Sequence, residues 1–165
     1  MKEEFNERGY VVNEKNGQTI AEREREIVDN FAILSDWEEK YRLIIDMGRK
    51  LPEFPEEHRT EANKVKGCQS QVWFHAWLEE DHVRFVADSD AAIVRGLIAI
   101  LLKTFSDAQP REIMDASTDF LNEMGLGEHL SPTRSNGLAA MIKQIKYYAL
   151  AFNTLLEQKK SAMNQ

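Results

Sequence analysis

Apolar residues recur with helical spacing along most of the chain and with strand spacing in one stretch near its middle. Thr19 and Glu22 stand three apart, the spacing of a capping box in which each side chain satisfies a free backbone N–H of the other residue. Ile27, Phe31 and Leu34 then share one face, which predicts a helix from Thr19 onward. Ser35 and Glu38 repeat the device ahead of Trp37, Tyr41, Ile44 and Ile45, and Gly48 is placed to end that second helix. The prolines of Leu51-Pro52-Glu53-Phe54-Pro55 break regular structure. Residues 71–78 carry Val72, Trp73, Phe74 and Trp77, and residues 82–87 alternate with Val83, Phe85 and Ala87 on one side. The short link Glu79-Glu80-Asp81 makes the two a hairpin, although it lacks the favoured Asn-Gly turn.

Beyond the hairpin, Asp88-Ser89-Asp90 is expected to cap a helix, with both carboxylates near its N-terminal dipole. Ile93, Val94, Leu97, Ile98, Ile100, Leu101 and Phe105 cover most of that helix, so it is the expected central buried element. Residues 110–123 read as one or two short helices. Ser131-Pro132 opens the last helix, with serine as cap and proline at the first helical position, and Leu138, Met141, Ile142, Ile145, Ala149, Phe152 and Leu156 form its apolar stripe. The predicted class is α+β, a small antiparallel β-sheet covered by helices. Residues 1–18 read as a polar extension ending in the turn signal Asn16-Gly17, loosely held in preference to the alternative of a short strand at Tyr10-Val11-Val12, and residues 19–165 as a single domain.

Size and charge narrow the function. At 165 residues the chain is long enough for one core without a disulfide or metal. Its 28 acidic residues outnumber 21 basic ones, for a net charge of −7, which argues against a nucleic-acid surface. The apolar run 96–102 is too short to span a membrane. The charged start Met1-Lys2-Glu3-Glu4 lacks the apolar stretch of a signal peptide, and a lone cysteine suits a reducing compartment, so the expected location is the cytoplasm.

That cysteine, Cys68, is the main candidate for chemistry. It stands in Lys66-Gly67-Cys68-Gln69-Ser70-Gln71, between a glycine and polar side chains, just before a strand. A buried structural thiol is one reading. A loop thiol carried by a rigid scaffold, with Gly67 permitting close approach of another surface, is the other. A single thiol suits persulfide transfer, which needs thiolate character but no metal and no second cysteine. Lys64, Lys66 and Arg134 are candidate cations for lowering its pKa. The histidines His58, His75, His82 and His129 form no metal-ligand pair at helical spacing, so no metal site is expected. His75 reads as a packed or surface histidine between Trp73 and Trp77. A Cys68–His129 thiol hydrolase and an iron–sulfur cluster scaffold are the alternative functions. The scaffold wants several thiolates where this chain has one, and the hydrolase lacks a recognisable orienting group. The glutamates 22, 24 and 26 and the turn acids read as solvated surface, and Gly125-Leu126-Gly127 lacks the third glycine of a phosphate loop.

Gly67-Cys68-Gln69-Ser70-Gln71-Val72-Trp73 resembles the signature of the SufE family, sulfur acceptors that assist cysteine desulfurases. Trp37-Glu38-Glu39-Lys40-Tyr41 with Leu51-Pro52, residues 88–99, and residues 129–138 resemble further blocks of that family in the same order. The resemblance runs from about residue 25 to 152 and leaves the N-terminal extension outside it. It implies that Cys68 accepts sulfur as a persulfide and that the fold is similar to that of iron–sulfur scaffold proteins. It also implies a pyridoxal-phosphate-dependent cysteine desulfurase as partner, with the pyridoxal phosphate held by that partner and no cofactor on this chain. An iron–sulfur scaffold complex is the expected downstream acceptor, and the chain itself is expected to be a monomer or weak homodimer. Gly67, Gln69, Asp90, His129 and Arg134 are the candidate supporting or docking residues around Cys68.

Overall fold

The computed structural model describes residues 18–164, together with the backbone of two short strands before them. Those strands, β1 (Glu4–Phe5) and β2 (Val11–Val12), pair antiparallel. Val11–Val12 is thus strand, where the sequence reading favoured a loosely held arm, while Tyr10 lies outside the described residues.

Helix α1 (Ile20–Ala32) starts where Thr19 accepts a hydrogen bond from Glu22 N. Helix α2 (Trp37–Arg49) starts one residue later than the Ser35 box implies. Asp36 is its N-cap and accepts from Glu39 N at 2.9 Å, while the Glu39 carboxylate accepts from Ser35 N and Oγ. The reciprocal pattern is present but shifted by one position, with a charged acceptor facing the helix N-terminus in place of a hydroxyl. Gly48 does not terminate α2 either. It lies buried inside the last turn because the backbone of Gly96 packs directly against it.

The sheet is one hairpin, β3 (Val72–Glu79) and β4 (His82–Ser89), in register from Val72↔Ser89 to Glu79↔His82. Its two-residue turn puts Glu80 at φ 55°, the left-handed conformation that Asn or Gly more commonly supplies. Period-two alternation gives the hairpin two unlike faces. Val72, Phe74, Ala76, Val83, Phe85 and Ala87 face the main core. There they meet Leu97, Ile98 and Leu101 of α3 (Ala92–Phe105) and Met141, Ile145 and Ala149 of α7 (Pro132–Met163). Ile98, Leu101 and Phe105 are wholly removed from solvent, each contributing roughly 2 kcal/mol by burial, which makes α3 the central buried helix that its apolar circumference predicts.

The opposite face is covered by the irregular segment after α2, which contains two short 3-10 turns, Glu56–His58 and Glu61–Asn63. Phe54 packs with Trp73 and Val86 in a second, smaller core. The Arg59 guanidinium lies 4.7 Å from the Trp73 ring and 5.2 Å from Phe54, and pairs with Asp88 at 2.9 Å. His58 stacks on His75 at 3.6 Å, so His75 is the packed histidine anticipated.

Residues 110–123 form two short helices, α4 (Pro110–Asp115) and α5 (Asp119–Glu123). A further turn, α6 (Leu126–His129), follows Gly125, whose φ of 83° favours glycine and where a Cβ would stand 2.7 Å from the Trp37 ring. Ser131 caps α7 with proline at N1, as read from the sequence. Among the described residues no helix is long and apolar enough to cross a membrane.

Candidate functional site

The loop carrying Cys68 is a short excursion tied at its base on both sides. Before it, Lys64 bridges to Trp73 and Val65 N donates to Val72 O at 2.9 Å, so residues 64 and 65 run antiparallel to the start of β3. After it, Gln71 N donates to the Asp90 carboxylate at 3.0 Å, and Asp90 N returns a bond to Gln71 O at 3.3 Å. Residues 66–70 form the tip. Gly67 takes φ 92° there, a conformation disfavoured for residues with a Cβ. A side chain at that position would also meet the Ala140 methyl at 3.4 Å. The expectation that this glycine allows another surface to approach closely therefore has a concrete form: the surface is the first turns of α7.

Cys68 is half-buried on that same helix. Its Sγ lies 3.6 Å from the Gly137 carbonyl oxygen, within range of a weak S–H donation, and a Cβ on Gly137 would stand 3.7 Å from the sulfur. The thiol packs against the edge of the main core, to which Val65, Val72 and Phe74 belong. Burial pushes the thiol pKa up, and no neighbouring charge opposes that. Lys64 instead pairs with Glu61 at 2.7 Å, and Lys66 and Arg134 make no ion pair or hydrogen bond to the sulfur among the described residues. The cations picked from the sequence thus do not activate the thiol in this conformation. They are near in sequence or fold, but the sulfur points inward.

The other candidate residues divide into two groups. Gly67, Gln69 and Asp90 belong to the Cys68 loop or its tie. Gln69 is exposed at the tip, and Asp90 is the anchor of Gln71. Asp90 is therefore not the helix cap that its position suggested. The cap of α3 is Ala91, without a side-chain bond, and Asp88 faces the outer side of the hairpin, where it pairs with Arg59 and Arg95. The reason is that β4 runs two residues further than its alternation implies, carrying Asp88 and Ser89 into the sheet. Arg134 lies exposed in the first turn of α7, three residues before Gly137 and so on the same side of the helix. His129 stands apart. Its ring stacks on Trp37 at 3.9 Å and its carbonyl accepts from the Tyr41 hydroxyl, with no hydrogen bond to Cys68. Gly137, which seats the thiol, and Ala140, which faces Gly67, were not singled out. The available signal was a glycine inside a strong helix, where glycine costs about 1 kcal/mol relative to alanine and calls for a packing reason.

The Asp90 tie makes a testable case. Asp90→Ala removes the acceptor of Gln71 N, leaves that N–H free to pair with water, and loosens the base of the loop without touching the core. The expected result is faster alkylation of Cys68, several-fold, with thermal stability within about 1 kcal/mol of the parent chain. An unchanged alkylation rate would mean that the tie does not hold the sulfur in place.

Comparison with known proteins identifies the family. The SufE family model, described as an Fe-S metabolism associated domain, matches residues 25–149. An uncharacterised SufE-like protein of Rhizobium meliloti is 50% identical over 127 residues, covering 73% of this chain and 90% of the relative. A second, from Rhizobium etli, is 48% identical over 127 residues, covering 73% of this chain and 85% of the relative. The solution structure of a hypothetical protein from Thermus thermophilus superimposes with a TM-score of 0.69 at 22% identity. It covers 80% of this chain and 96% of that one, a likeness of fold alone. A match whose bounds, residues 25–149, take in the Cys68 loop, the hairpin and the thiol seat on α7 places this chain in the SufE family of iron–sulfur metabolism.

Proposed function

We propose that this protein is a sulfur acceptor and carrier, taking sulfur onto Cys68 from a cysteine desulfurase, stimulating that enzyme and delivering the sulfur for iron–sulfur cluster assembly. The observation that carries the reading is the position of the chain's only cysteine: half-buried at the tip of a tied loop, against Gly137, in a chain of the SufE family. In the transfer, the Cys68 thiolate attacks the outer sulfur of a persulfide on the desulfurase. The S–S bond of the donor breaks and leaves a thiolate on the enzyme, while a new S–S bond forms on Cys68, which then bears the –SSH group. No electron is gained or lost overall. Pyridoxal phosphate belongs to the desulfurase, and this chain serves as an accessory protein in a reducing cytoplasm.

The geometry also supports a two-position thiol. Tucked against Gly137, with its pKa raised by burial, Cys68 is protected from small thiols and oxidants. Transfer requires the sulfurs to meet in line, so docking turns the tip outward. The expected result is that Cys68 of the free protein alkylates slowly, with a pH profile displaced above that of a free cysteine because burial disfavours the thiolate. An inactive desulfurase at sub-saturating concentration should accelerate the labelling. Rapid labelling of the free protein at neutral pH would count against the sheltered position.

The deciding experiment is intact-protein mass spectrometry after incubation with a cysteine desulfurase and free cysteine. The carrier gains the mass of one sulfur, removable by reductant. A cluster scaffold would instead develop visible absorption when supplied with iron and sulfide, and a thiol hydrolase would be acylated by activated esters in the absence of any desulfurase.

A further inference from the structure

Two histidines meet on the outer face of the hairpin, away from the face that packs on the main core. His58 ends the first 3-10 turn of the covering segment, and His75 stands near the middle of β3. Their ring centroids lie 3.6 Å apart with the planes within 9° of parallel, and the Trp77 ring continues the stack 5.7 Å from His75. The His58 side chain is 25% exposed, so protons reach the pair from solvent. Parallel rings aim their nitrogen lone pairs side by side and not at a common point. Among the described residues no third ligand completes a set, so the pair is not a metal site.

The charges around the stack leave room for one proton and not for two. From the covering segment, Glu57 brings a carboxylate oxygen to 3.6 Å from His58 Nε2, while Glu56 and Arg59 pair with each other at 3.2 Å. Across the hairpin His75 stands opposite Val86, with Arg84 and Asp88 as its diagonal neighbours. Arg84 pairs with Glu79 and Asp107, and Asp88 pairs with Arg59 and Arg95. Glu57 is thus the carboxylate that faces a proton arriving on the stack, and it matches one. A second proton sets two imidazolium rings in direct contact, and like charges that close disfavour each other. Burial pushes the His75 pKa below the ordinary histidine value, and His58 adds to that while Glu57 opposes it. A histidine lowered in this way stabilises the fold above its unfolded value of about 6.5. That contribution is lost as pH falls from there through the lowered value.

The segment fastened by this stack runs directly into the Cys68 loop. The His58 carbonyl accepts from Asn63 Nδ2 at 2.8 Å, which fixes the second 3-10 turn to the first. Lys64, the next residue, begins the arm that pairs with β3 at the base of the loop. Phe54 in the smaller core and the Arg59–Asp88 pair also hold the segment, and neither contact contains a histidine. The opening expected in acid is therefore local, confined to the two turns and the arm that follows them.

We propose that the His58–His75 stack is a proton-operated catch, closed while the pair holds at most one proton and open when both rings are protonated, which releases the incoming arm of the Cys68 loop from the hairpin. The catch belongs to the fold and does not depend on the sulfur-carrier reading. The test takes the full chain from about pH 7.5 to about pH 5, across the ordinary histidine range. Hydrogen exchange, corrected for its intrinsic pH dependence, follows the backbone amides. A dipyridyl disulfide, which still reacts with thiols in acid, follows Cys68, and its rate is divided by that on an unstructured cysteine peptide at the same pH. At the acid end, residues 56–65 should exchange several-fold faster and the relative reactivity of Cys68 should rise several-fold, with β4 and α3 still protected. His58→Gln and His75→Gln should each flatten both responses, because a single histidine has no like charge to meet. His82→Gln, at the hairpin turn, should keep them. Should His75→Gln fail to fold, His58→Gln in the surface turn decides the matter. Responses that stay flat in the parent chain would overturn the proposal, as would an acid response kept in either folded glutamine variant. Protection lost throughout the domain at once would overturn it too, since acid would then act on the whole fold and not on the catch.

Discussion

A Cys68→Ser chain is expected to fold like the parent and to take up no sulfur. The sulfur makes one weak polar contact, with the Gly137 carbonyl, and is only half-buried. A serine hydroxyl is smaller and can donate to the same carbonyl, so the change in stability should stay within about 1 kcal/mol. Chemistry, by contrast, is lost outright. Persulfide formation needs a soft nucleophile whose ionised form is accessible near neutral pH, and a serine oxygen is neither. With one cysteine in the chain, nothing else can take the role. Intact mass after incubation with desulfurase and cysteine should show the parent chain carrying one extra sulfur and the variant none. Desulfurase turnover should fall to the rate seen without any acceptor. A serine variant that still accelerates the desulfurase to the parent level would sink the carrier reading.

The largest expected loss of stability lies elsewhere, where α2 crosses α3. A Cβ on Gly96 would overlap the backbone of Ile44, including its carbonyl carbon at 2.7 Å, and a Cβ on Gly48 would stand 2.6 Å from Gly96 N. These contacts involve backbone and the fully buried Ile44, so no side-chain rotation relieves them. Gly96→Ala must push the two helices apart and unpack the core around Leu97 and Ile98. Overpacking of this kind costs about 3 kcal/mol or more, against a helix-propensity gain of about 1 kcal/mol. The net loss should lower Tm by roughly 5 °C or more for a domain of this size. Gly137→Ala is the internal control. Its new methyl would rest at an ordinary 3.7 Å from the Cys68 sulfur, so only the propensity gain applies, and urea melts should show it neutral or slightly stabilised. A Gly96→Ala chain as stable as the parent would mean that the two helices do not cross at this point.

The contrast between these two glycines marks the boundary of what the chain reveals locally. Helices α1, α2, α3 and α7, the β3–β4 hairpin and the α+β class were legible, because an apolar face repeats within each element and needs no knowledge of its partner. The Cys68 loop was legible for a related reason: a glycine, polar neighbours and a following strand are all adjacent in sequence. The misses share a different cause. Gly48 looked like a helix end and Asp88 and Asp90 looked like caps, since those residue types usually serve those local roles. In each case a distant group competed for the residue: the Gly96 backbone, the guanidiniums of Arg59 and Arg95, and the N–H of Gln71. Arg23 stands in the charged run Glu22-Arg23-Glu24-Arg25-Glu26 and looks like a solvated residue, but the turn after α3 brings three carbonyls to meet it. By itself the sequence determined which segments are helix or strand, which faces turn inward and which sulfur is the candidate for chemistry. The tertiary structure alone decided what that sulfur rests against, what ties its loop, and where charged groups are forced together out of water. Such contacts join residues 19 to 84 positions apart, and no local pattern encodes them.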